Sequence, residues 1–186
     1  MNNKMNQIGF VALLVGLIGV GCGDSGTQAV PAPPPVPTPP ADFIAMAEDF
    51  DCIQDWERVR NIRVTNKLGL LEEALEVARN PQPGVQYPVG TIIQLFPGEA
   101  MVKRAPDFDP PNNNWEYFEL LVSPEGTSIN VRGRDEVVNM FGGNCLSCHA
   151  DAREFDFICE KGRGCVDLPI GDEAIAALQE ADPRCQ

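Results

Sequence analysis

Histidine is nearly absent from this sequence, with one residue, His149, among 186. Any metal centre that needs two imidazoles from one chain is therefore excluded. Basic charge is scarce too: 14 Lys and Arg stand against 27 Asp and Glu, a formal net charge of −13. No basic stripe exists, so nucleic acid is not a partner. The acidity favours solubility and suits a cationic partner protein. No apolar run reaches the ~20 residues that a membrane-spanning helix requires, the longest being Ile8 to Val20. Internal repeats are missing, and no methionine follows Met140.

What is present begins with Lys4 ahead of that apolar run, which ends at Gly21-Cys22. A charged start and a short apolar stretch make residues 1–21 an export signal. Cys22 stands where a bacterial lipoprotein signal is cut and its cysteine acylated, although Gly19 replaces the Leu, Val or Ile usual at that site. The competing reading is an ordinary secretory signal. Two or three acyl chains hold a protein at a membrane where one does not. Gly23, rather than aspartate, follows the cysteine, which favours the outer over the inner membrane. Residues 22–40 form the tether, for Val30 to Pro40 carries seven prolines. Such a run prefers extended polyproline II and makes a semi-rigid spacer of about 30 Å. Residues 41–186 remain as one domain with room for a core.

Seven cysteines occur, at positions 22, 52, 145, 148, 159, 165 and 185. Cys145-Leu146-Ser147-Cys148-His149 is a C-x-x-C-H motif. Its order matches covalent attachment of one c-type haem: two thiols add across the vinyl groups, and the adjacent histidine supplies a neutral imidazole nitrogen to the iron. A thioredoxin-like pair would need a βαβ setting, which is missing here. With Cys22 acylated and Cys145 and Cys148 on haem, four cysteines remain for two disulfides in an oxidising compartment. Cys159 and Cys165 enclose a glycine-bearing loop and pair locally; Cys52 and Cys185 are left to each other. A zinc site is the alternative for these four.

The expected fold class is α+β: an antiparallel sheet of four to five strands, preceded by two helices and followed by a C-terminal haem-binding segment. Apolar residues recur at helical spacing from Asp42 to about Arg60. Asn66 can cap a second helix whose face is Leu68, Leu71, Leu75 and Ala78, stopped by Pro81. Strands are expected at Gly90–Phe96, Glu99–Arg104, Asn114–Val122 and Gly126–Arg132, joined by Pro-Gly and Pro-Glu-Gly turns. A short helix at Asp135–Met140 leads into the motif, and Asp172–Glu180 is the last helix. With one histidine and no methionine after the motif, any sixth iron ligand comes from upstream. Met101 and Lys103 share one face of a predicted strand, and either can lie over the haem.

These residues resemble a known group. Met101-Val102-Lys103-Arg104 precedes a loop rich in Asp, Pro and Asn; the aromatic strand Asn114-Trp115-Glu116-Tyr117-Phe118 follows, and His149-Ala150-Asp151-Ala152 continues the motif. Over roughly residues 90–159 the chain is similar to the cytochrome P-460 and c′-beta cytochromes, mono-haem periplasmic proteins with a mainly antiparallel sheet. The resemblance implies either of two activities. The P-460 branch oxidises hydroxylamine with a lysine cross-linked to the haem and a distal acid; here Lys103 would be that lysine and Glu116 or Glu119 the acid. The c′-beta branch binds nitric oxide or carbon monoxide in an apolar pocket, which Phe96, Phe118 and Phe141 suit as well as plain core. Whether the protein is an enzyme stays open. A tethered electron carrier with Met101 as sixth ligand is the second reading, and a haem-free, disulfide-stapled lipoprotein the third. The expected partners are a membrane through Cys22, a redox protein and a small molecule at the haem, with a homodimer allowed.

Overall fold

A computed structural model describes residues 40–185. The signal, Cys22 and the tether through residue 39 lie outside the described residues. The architecture is α+β, built on one antiparallel sheet in strict meander order; it has six strands where four to five were expected, and two of them precede the first α-helix instead of following it. Its strands are β1 (Glu57–Val59), β2 (Ile62–Asn66), β3 (Thr91–Gln94), β4 (Glu99–Lys103), β5 (Trp115–Ser123) and β6 (Gly126–Gly133). The last four coincide closely with the expected strands, because alternation and the turn residues at Pro97-Gly98 and Pro124 to Gly126 define them locally. Three α-helices accompany the sheet: α1 (Leu71–Arg79), α2 (Cys145–His149) and α3 (Asp172–Glu180).

Both faces of the sheet are covered. On one, Ala45, Phe50, Ile53 and Trp56 pack on Ile92, Ala100, Val102, Phe118 and Leu120. On the other, Ala74, Leu75 and Ala78 of α1, with Cys145, Phe157 and Ile158, pack on Val64, Ile93, Met101, Trp115 and Tyr117. Strand alternation sorts the residues: Met101 pairs with Tyr117 and Lys103 with Trp115 on the second face, while Val102 pairs with Glu116 on the first.

Three expected helical features are corrected. The segment Asp42–Arg60 is not a helix; it contains two single 3₁₀ turns, at Ala47–Asp49 and Ile53–Asp55, and then β1. The apolar spacing is real, since Phe50, Ile53 and Trp56 are all buried. The backbone, however, is held by long-range partners instead of a helical ladder. Ile53 N–H donates to Asp182 at 3.1 Å, and Cys52 is bonded to Cys185. Asn66 ends β2 instead of capping α1: its Oδ1 accepts from Leu68 and Leu70 N–H in a turn that delays the helix to Leu71. Residues 135–140 form a loop, because Glu99 takes the Met140 N–H and the Asn139 side chain takes those of Phe141 and Gly143.

Both expected disulfides are present, Cys52–Cys185 with Cα atoms 4.9 Å apart and Cys159–Cys165 at 5.7 Å. They accord with an oxidising, exported setting. Among the described residues no helix is long and apolar enough to cross a membrane.

Candidate functional site

The C-x-x-C-H motif forms α2. Asn144 caps it, accepting the Ser147 N–H at 3.1 Å and donating its own amide to the Asp135 and Val137 carbonyls. Gly142, at φ +83°, makes the left-handed turn just before it, a backbone state that suits glycine. One turn of helix brings residues i, i+3 and i+4 to one face, so Cys145, Cys148 and His149 are presented together. All three line a cavity of about 860 Å³, within the usual range of small-molecule and cofactor sites, roughly 300–1,000 Å³. Both thiols are unpaired, whereas the other four described cysteines are oxidised.

His149 is oriented from behind. Its Nδ1 lies 2.6 Å from the Phe157 carbonyl, to which it donates, so Nε2 keeps its lone pair. Its ring meets Tyr117 edge-on at 5.4 Å between centroids. Burial lowers the histidine from its ordinary value, against the pull of the Phe157 carbonyl, and favours the neutral imidazole that a metal needs. Burial, with Glu99 nearby, pushes the Cys145 thiol up to about 12. Reactive C-x-x-C pairs show the opposite shift, in electropositive surroundings. That argues against Cys145 as a thioredoxin-type nucleophile.

Of the sequence-derived candidates, Met101 lines the cavity, as do Phe96 and Phe141, whose rings are 6.1 Å apart. Phe118 lies on the other face, 5.1 Å from Phe50, and is core. Glu116 is on that other face too, salt-bridged to Arg104 and Arg132, so it is no distal acid. Glu119 accepts a hydrogen bond from Asn130 at 3.0 Å and does not line the cavity. Lys103 is 2% exposed and does not line the cavity either. Its Nζ sits 2.7 and 2.8 Å from the two carboxylate oxygens of Asp156, 4.9 Å above the Trp115 ring. Burial works against both charges, lowering Lys103 and raising Asp156 from their ordinary values; their mutual attraction and the Tyr87 N–H and Asn113 amide on Asp156 oppose it.

Sequence reasoning missed three contributors. Glu99, two residues before Met101 on the same strand, is a sheet carboxylate that lines the cavity, raised from its ordinary value by burial and held by the Met140 N–H. Alternation from Met101 would have found it. The second is the Cys159–Cys165 loop, whose Glu160 bridges to Arg60 and Arg163 and forms another wall. That loop sits close over the motif segment: a Cβ on Gly164 would lie 2.3 Å from the Asp151 carbonyl oxygen. The third is the Phe157 carbonyl, a backbone group that side-chain motifs cannot signal. Leu168, Ile170 and Ile175 complete a lining that is more apolar than polar. No group of three or more His, Cys, Asp or Glu side chains converges to hold a bare metal ion among the described residues.

The donor set fits a covalently held haem: two free thiols, one imidazole with Nε2 available, and a largely apolar cavity that all three line. Comparison with protein-family models finds no match, and neither does comparison with curated proteins or with solved structures.

Proposed function

We propose that this chain is an exported, lipid-tethered mono-haem c-type cytochrome of the P-460/c′-beta type. It binds a small nitrogen species at a haem whose side opposite His149 is open or weakly capped. The observation that carries the reading is the convergence of two unpaired thiols and a carbonyl-oriented imidazole on one cavity. Cys145 and Cys148 would hold the macrocycle through thioether bonds, and His149 would give Nε2 to the iron. When bound, the group supplies an iron that takes a small ligand and exchanges one electron. Ile93, Phe96 and Tyr117, which line the cavity and are buried, would shield it from water on the sheet side. Glu99 supplies a carboxylate whose burial raises it from its ordinary value and so favours its protonated form.

Within the family reading, ligand binding is better supported than hydroxylamine oxidation. The cross-link assigned to Lys103 would require an amine that instead pairs with Asp156. The second reading, an electron carrier, rests on Met101, which lines the same cavity. The ferrous absorption spectrum of protein matured in a host that attaches c-type haem separates them. A high-spin spectrum that shifts with carbon monoxide is expected. A low-spin spectrum unmoved by carbon monoxide and converted to high-spin by Met101→Ala would overturn the open site in favour of the carrier. The tether is tested by radiolabelled palmitate, with incorporation expected in the wild type and lost in Cys22→Ala.

A further inference from the structure

Lys103 and Asp156 are 53 residues apart in sequence, yet they form the most completely buried cation–carboxylate contact on the motif side of the sheet. Asp156 is tied from four directions. Its carboxylate takes the Lys103 ammonium, the Tyr87 N–H at 2.8 Å and the Asn113 amide at 2.9 Å, and its carbonyl takes the Trp115 indole N–H at 2.7 Å. Its backbone is left-handed at φ +53°, and Phe157 follows at φ +62°. Two consecutive non-glycine residues in that region cost free energy and persist only where surrounding contacts enforce them. This double turn aims the Phe157 carbonyl back at His149 Nδ1, at 2.6 Å.

We propose that Lys103 is a positioning residue for His149. Through Asp156 it clamps the left-handed turn that presents the Phe157 carbonyl, and so fixes the sole imidazole as the Nδ1–H tautomer with Nε2 directed to its ligand. The inference deepens the haem reading and rests on it for the identity of that ligand. It reassigns the lysine from the cavity to the support behind the histidine. Hydrogen-bonded partners of ligating histidines fix tautomer and ring orientation and raise ligand basicity, and their loss changes ligation by roughly 10- to 100-fold.

The test uses the full chain carrying ¹⁵N-histidine, where a single histidine gives one pair of ring-nitrogen signals. Without haem, the wild type is expected to show one dominant tautomer protonated at Nδ1. In Lys103→Met/Asp156→Asn, which removes both charges together, the tautomer ratio shifts from the Nδ1–H toward the Nε2–H form. With haem, the ferrous iron–histidine vibration moves to lower frequency and the reduction potential rises in the same variant. A folded double variant with unchanged tautomer and vibration overturns the proposal. If that variant does not fold, Asn113→Ala, which removes one donor to Asp156, is expected to shift both readouts the same way by less, and no shift there overturns it equally. Failure of the haem reading shows separately, as protein without covalent haem whose tautomer still depends on Lys103.

Discussion

Replacing Lys103 alone with methionine removes one half of a buried ion pair and leaves the other half behind. Lys103 and Asp156 are each 2% exposed, and both carboxylate oxygens lie within 2.8 Å of the ammonium. Stranding such a carboxylate costs roughly 3–5 kcal/mol, a large share of the ~5–15 kcal/mol that holds a domain folded. Methionine fills most of the volume, so the loss is electrostatic rather than a cavity. With a urea slope of ~2 kcal/mol/M, the unfolding midpoint falls by about 2 M in haem-free protein. Adding Asp156→Asn removes the stranded charge while keeping oxygen for the Tyr87 N–H, and should recover more than half of the loss. The assay is urea unfolding followed by tryptophan fluorescence, since Trp115 lies against the pair. A midpoint shift below about 0.5 M in the single variant, or no recovery in the double, would refute the claim that this pair is desolvated and mutually dependent.

Removing the Cys52–Cys185 bridge, which closes a separation of 133 residues, costs about 5 kcal/mol by the chain-entropy relation; urea unfolding of Cys52→Ala/Cys185→Ala beside the wild type measures it, and an unchanged midpoint would show that the bridge constrains nothing. Asp182 is also pH-sensitive. Burial alone would raise it, but Arg184, with the Ile53 and Arg184 N–H groups, outweighs this and holds it below its ordinary value. Its stabilisation is therefore present above the ordinary aspartate range near ~3.9 and is lost as pH falls below it, so Asp182→Asn should flatten the stability profile on the acid side. Cys145, raised to about 12, should be alkylated by iodoacetamide at pH 8 at least about a hundredfold more slowly than a free cysteine in the haem-free protein. Mass spectrometry over time reads the rate, and rapid labelling would mean that the thiol is exposed.

The sheet was largely legible because its strands announce themselves locally. β3 to β6 alternate, and each hairpin carries its own turn residues, while α3 begins on acidic residues and keeps one period. β1 and β2 were hidden for a physical reason. Phe50, Ile53 and Trp56 repeat at helical spacing, but a disulfide and Asp182 settle their backbone from more than 120 residues away. Asn66 shows the same limit on a smaller scale, since its side chain caps a turn with the chemistry expected of a helix cap. In the site, the C-x-x-C-H spacing was readable because one helical turn converts it directly into geometry. Alternation placed Met101 and Lys103 on one face without saying what lies at each level of it. At one level is the cavity, and at the next is Asp156, a partner that no local pattern announces.

The central claim is the covalent haem on Cys145 and Cys148, and one measurement addresses it most directly. The exported protein is matured in a host able to attach c-type haem, then assayed by pyridine haemochrome against protein concentration. One c-type haem per chain, lost in Cys145→Ser/Cys148→Ser with both disulfides intact, is the predicted result. A wild-type protein that folds, keeps both disulfides and carries no c-type haem would contradict it.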